Sequence, residues 1–133
     1  MINAIGIALT GLFGASKRTE AAAGNIANMQ TTGSLEPGGK PAPYSAVTTA
    51  QTSQSTGGVK TDIIPKDPAF VPAYDPDSPF ANNDGLVGVP NIDLATEAVN
   101  LSLAKTAYSA NIAVIKTVDE MQQELLNSFD REV

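Results

Sequence analysis

The chain has 133 residues, a formal net charge of −6, and no histidine, cysteine or tryptophan. It therefore has no disulfides, no thiolate nucleophile and no His-centred acid–base pair. It also lacks the basic block or stripe that would hold a nucleic-acid backbone.

The composition is uneven. All nine prolines lie between Pro37 and Pro90, and seven of the eleven glycines lie between Gly33 and Gly88. The ends permit helix and the middle favours turns. Residues 1–40 carry a slight positive excess, while 41–90 and 91–133 are acidic.

The first predicted element is a helix from Ile2 to Asn28. Steps of three and four give a seam of Ile2, Ile5, Leu9, Leu12, Ser16, Thr19, Ala23 and Ile26, widened by Ala8, Phe13, Ala22 and Ala27. Gly6, Gly11, Gly14 and Gly24 interrupt it, each costing up to about 1 kcal/mol relative to alanine. Such a helix is marginal alone, but its small residues let another helix approach closely. The apolar start, "MINAIGIALTGLFGAS", has its first basic residue, Lys17, behind it, whereas a cleaved signal begins with a basic region. It also falls short of the roughly 20 apolar residues of a membrane span. The expectation is an amphipathic helix with no direct membrane insertion.

"SLEPGGKPAP" (residues 34–43) reads as a loop. Tyr44 to Gln51 and Val59 to Ile64 lean towards strand and flank the turn-rich "TSQSTGG", which predicts a small β-hairpin. Two strands alone are only marginally stable in water, so this hairpin needs a surface to lean on. Residues 65–90 hold six prolines, too many for a helix or a central strand, yet include Phe70, Val71, Tyr74, Phe80, Leu86 and Val87. The expectation there is an extended segment clamped onto a surface. The acidic loop "DPDSPFANNDG" lacks EF-hand spacing, and its side chains read as Asx-turns and solvated carboxylates. "GGVKT" at 57–61 does not meet the spacing of a phosphate-binding loop. No cofactor, metal site or enzymatic centre is expected.

Asn91 or Asp93 caps the last element, with Glu97 adding negative charge to its first turn. The seam runs Leu94, Ala98, Leu101, Ala104, Tyr108, Ile112, Ile115, Val118, Gln122, Leu125 and Phe129. Residues 2–28 are the obvious partner for so long a helix in so short a chain. Asn111 falls beside this seam, either as a boundary residue facing solvent or as a polar residue fixing register between helices. The fold class read from these elements is mainly α with a small β portion. Long N- and C-terminal helices pair with each other, joined by a β-hairpin and an extended Pro-rich segment. Residues 1–30 and 91–133 form one helical domain around a 31–90 insert.

Two stretches resemble signatures of the flagellar rod and hook protein family. "NIANMQTTG" (25–33) is similar to its N-terminal signature, and "AYSANIAVIKTVDEMQQELLN" (107–127) to its C-terminal one. "DPAFVPAYDPDSPFANNDGLVGVPNIDL" (67–94) resembles the segment before the last helix in the short members that build the proximal rod. The strand after the first loop departs from the family in being small and polar. The resemblance implies that the terminal helices pair as an antiparallel coiled coil, in a structural, non-enzymatic subunit that polymerises through them into a tubular drive shaft enclosing an export channel. Its partners would be copies of itself, other flagellar rod proteins and the flagellar type III export apparatus. It would lie in the basal-body rod, in the periplasmic space, exported without a cleaved signal. Seam and resemblance together place the assembly interface at Ile5, Leu9, Leu12, Asn25, Ile26 and Asn28 in the first helix. In the last helix they place it at Leu101, Tyr108, Asn111, Ile115, Val118, Met121 and Leu125. The alternative from another class is a soluble helical adaptor that binds a single partner helix and never polymerises.

Overall fold

The computed structural model describes residues 2–130. The order is α1 (Ile2–Asn28), β1 (Val47–Ser53), β2 (Val59–Pro65), β3 (Phe70–Tyr74), β4 (Leu86–Pro90) and α2 (Leu94–Asp130). The chain is thus mainly α with a small β portion.

α1 and α2 lie side by side and run antiparallel. Gly11 faces Asn111, and Asn25 bonds to Glu97, so fourteen residues forward on α1 match fourteen residues back on α2. Carried on, this register brings the start of α1 level with about Glu120. The remaining turns of α2 extend past it. α1 ends at Asn28, whose carbonyl accepts bonds from the Thr31 amide (3.0 Å) and hydroxyl (2.7 Å). Of the two possible caps on α2, Asp93 is the one used, with its carboxylate accepting from the Thr96 amide at 3.0 Å. Asn91 instead donates to the Pro68 carbonyl and receives Lys66 on its own, which ties the start of α2 to the loop before β3.

β1 and β2 form the expected antiparallel hairpin, with Val47 opposite Pro65 and Ser53 opposite Val59. It leans on α1. Asn25 holds Val47, Arg18 donates to the Gln51 side chain, and the Thr10 hydroxyl accepts from the Val59 amide at 3.1 Å. The tip turns through Gly57 and Gly58, both near φ +90°, and lies against Ile7 and Thr10.

The Pro-rich segment is not simply extended. Residues 70–74 and 86–90 pair as a second antiparallel hairpin, β3–β4, with Pro72 opposite Gly88. Pro72 is tolerated because β3 pairs only with β4, which leaves its other edge without a partner that needs its N–H. Gly33 borders β4 on the other side through two backbone bonds to Gly88, of 3.0 and 2.8 Å. Asn82 folds the loop between these strands, its side-chain oxygen accepting from the Asp84 and Leu86 amides.

Candidate assembly surface

The residues between the helices are small. Ala8, Ala15 and Ala22 recur at seven-residue spacing and are 3%, 2% and 1% exposed. Opposite them, Ala104 and Val118 are buried, and Leu101, Asn111 and Ile115 are half-buried. Each buried methyl contributes only about 0.8 kcal/mol, so this stripe alone is a modest adhesive. It does allow close approach: a Cβ on Gly11 would stand 2.5 Å from the Asn111 Oδ1.

The large side chains point outward. Ile7, Leu9, Phe13, Val99, Leu103 and Val114 are exposed along the paired part of the helices. Beyond it, Met121, Leu125, Leu126 and Phe129 are 55%, 45%, 65% and 62% exposed on the overhanging turns of α2. A solitary soluble bundle places such residues inside, and a continuous exposed apolar stripe marks an interaction surface.

The residues expected at the interface therefore divide. Leu9, Tyr108, Met121 and Leu125 are exposed. Ile5, Leu12, Ile26, Asn28, Leu101, Asn111 and Ile115 are half-buried, and Val118 is buried. The seam on α1 lies one position before that read from the sequence: Ala8, Gly11, Ala15, Ala22 and Asn25 line it, whereas Leu9, Ser16, Thr19 and Ala23 are exposed. On α2, Leu101, Ala104, Ile112, Ile115, Val118 and Gln122 of the expected seam are buried or half-buried, Glu97 and Asn111 join them, and Leu94, Ala98, Tyr108, Leu125 and Phe129 are exposed. Asn111 is thus the inter-helix residue, donating to the Ala107 carbonyl at 2.7 Å while its amide fills the gap at Gly11.

Asn25 sits deep inside the chain, 1% exposed. Its Nδ2 donates to the Val47 carbonyl (2.8 Å) and the Glu97 Oε1 (2.9 Å), and its Oδ1 accepts from the Val47 amide (3.0 Å). Glu97, also buried, accepts a further bond from Asn100. One amide thus joins α1, β1 and α2. Sequence reasoning saw Glu97 only as a charge near a helix start. No local pattern links two residues 72 positions apart.

Two surface depressions flank α1. One, of about 300 Å3, is lined by Arg18, Ala21, Thr48, Thr49, Asn100 and Leu103. The other, of about 330 Å3, lies between α1 and β2 and includes Phe13, Gly14, Val59, Lys17 and Lys60. Among the described residues no helix is long and apolar enough to cross a membrane, and no group of carboxylates is placed to hold a metal.

Residues 84–128 match the family model described as "Flagellar basal body rod FlgEFG protein C-terminal". The flagellar basal-body rod protein FlgC of Buchnera aphidicola is 36% identical over 133 aligned residues, covering 95% of this chain and 96% of that protein. FlgC of Salmonella typhimurium is 35% identical, with the same coverage. FlgC of Bacillus subtilis is 31% identical, over 82% of this chain and 85% of its own length. These alignments run across both helices and the insert between them, and the chain belongs to the FlgC family of flagellar basal-body rod proteins.

Proposed function

We propose that the chain is a structural subunit of the proximal rod of the flagellar basal body. In this reading α1 and α2 wind as an antiparallel coiled coil, and residues 31–90 form an insert on its flank. The helix pairs of successive copies and of other rod proteins pack into a tube that transmits torque and encloses the export channel. The subunit reaches its place in the periplasm through the flagellar type III export apparatus without losing a signal segment. Its role is mechanical, with no reaction and no cofactor.

The observation that carries this reading is the inverted packing of the helix pair. Alanines and a glycine fill the seam inside the chain, while Leu9, Phe13, Leu103, Leu126 and Phe129 face outward. Burying such side chains contributes roughly 1.5–3 kcal/mol each. The larger part of the available hydrophobic energy is therefore released between chains. Where contacts between copies are head-to-tail and do not close on themselves, they generate helical assemblies.

Leu103→Asp and Leu126→Asp test it. Both positions are exposed in the single chain, so the unfolding free energy should move by less than about 0.5 kcal/mol. Incorporation into isolated basal bodies and swimming should be lost. Normal swimming by both variants would overturn the reading. A chain that binds one rod component in solution and never enters the rod would favour the single-partner adaptor.

A further inference from the structure

The overhang of α2 and the groove between α1 and β2 are both uncovered, and they differ in shape and charge. The overhang is convex, with Met121, Leu125 and Phe129 four residues apart on one stripe. Asp119, Glu120 and Glu124 accompany this stripe, with no basic residue between positions 119 and 129. The groove is concave. Phe13, Gly14 and Val59 are the apolar members of its lining, and Lys17 and Lys60 stand beside them, with no carboxylate among the lining residues. Phe13 is 65% exposed there. Each lysine is now held by one solvent-exposed carboxylate, Lys17 by Glu20 at 3.0 Å and Lys60 by Asp62 at 2.8 Å. Exposed pairs of that kind exchange readily.

The two features cannot meet within one molecule. The groove lies at residues 10–17 of α1, beside the paired part of α2, while the overhang runs straight on past the start of α1. A continuous helix cannot turn back on itself. We propose that the overhanging end of α2 in one copy lays Met121, Leu125 and Phe129 across the α1–β2 groove of a second copy, with Glu120 and Glu124 facing Lys17 and Lys60. This is helix-in-groove recognition with anchors spaced by one helical turn. Because the two surfaces differ, each copy that docks presents a fresh groove and a fresh overhang, so the contact propagates. The inference rests on the rod-subunit reading and names the surfaces that one step of that assembly uses.

The absence of native cysteine makes the test direct. Lys60→Cys and Glu124→Cys are introduced singly and together, and basal bodies from cells carrying each variant are oxidised. The double variant should give a ladder of cross-linked multimers, and each single variant at least tenfold less product. Glu36→Cys, exposed in the loop before β1 and outside both surfaces, serves as the comparison. A double variant that swims, enters basal bodies and yields no more product than Glu36→Cys overturns the docking and leaves the rod reading standing. Exclusion of the unsubstituted chain from basal bodies overturns both.

Discussion

The amide of Asn111 occupies the space that a side chain on Gly11 would need. A Cβ at Gly11 would lie 2.5 Å from Asn111 Oδ1 and 2.7 Å from its Nδ2. That amide is not free to swing away, because its nitrogen donates to the Ala107 carbonyl. The pair fixes where α1 and α2 sit along each other, as a polar residue at a helix seam can do.

Gly11→Ala should therefore destabilise the chain by about 1–2 kcal/mol, although alanine is the better helix former by about 1 kcal/mol. Asn111→Ala in the same chain should recover most of the loss. A double-mutant cycle by urea unfolding measures this. Stabilisation by Gly11→Ala alone would show that the close approach does not constrain the pair.

Asn25 leaves three groups without partners when it is removed: the amide and carbonyl of half-buried Val47, and one oxygen of buried Glu97. Each uncompensated group costs about 1–3 kcal/mol. Asn25→Ala is expected to cost about 3 kcal/mol or more. Asn25→Asp should be as harmful at neutral pH, since it sets a carboxylate against Glu97. Adding Glu97→Gln to Asn25→Asp should restore part of the loss. Chemical unfolding of the three variants decides it.

Gly88 lies under the ring of Pro43 and pairs with Gly33 on both backbone bonds. A Cβ there would overlap the ring. Gly88→Ala should cost about 2–3 kcal/mol, through strain and the loss of those bonds. Amide exchange should speed up at Gly33 and along β3–β4, with the α1–α2 amides less affected.

The Asp93 carboxyl is held below its usual value near 3.8, chiefly by the hydrogen bond from the Thr96 hydroxyl and then by the Thr96 amide. A lowered folded pKa means that the cap contributes fully above the unfolded value. Its contribution disappears as pH falls through the folded one. Asp93→Ala should therefore lower stability at neutral pH and make much less difference once the pH has fallen through the folded pKa. Asp93→Asn, which keeps an uncharged acceptor, should flatten the acid limb of the stability curve. An unchanged acid limb would remove Asp93 from this role.

Both helices were legible because their three-and-four periodicity runs without proline. The first hairpin was legible from β-leaning residues around a Gly-rich turn. The face that α1 presents to α2 was harder. Large aliphatics such as Leu9 usually mark the inside of a helix, and here they lie outside because Ala8, Ala15 and Ala22 permit the closer contact. The second hairpin was hidden by Pro72 and its neighbours. A proline count cannot show that the proline sits in a two-stranded ribbon with an unpaired edge. The Asn25–Glu97 latch depends on tertiary placement alone. The candidate surface was legible in kind, as apolar helix faces without a partner. Which residues those faces show follows from the one-position shift of the α1 seam.

The antiparallel register also gives the molecule two unlike poles. The first turn of α1 and the free turns of α2 share one pole. Asn25, Glu97 and the Gly33–Gly88 bridge mark the other. A fluorescent or affinity label fused near either end of the chain would crowd the same pole, beside the uncovered apolar turns of α2. The small turn closed by the Gly39 amide on the Glu36 carbonyl belongs to the bridge side and is exposed at Pro37 and Gly38. A reporter inserted there leaves both helices free, so it is the place from which to watch the protein at work.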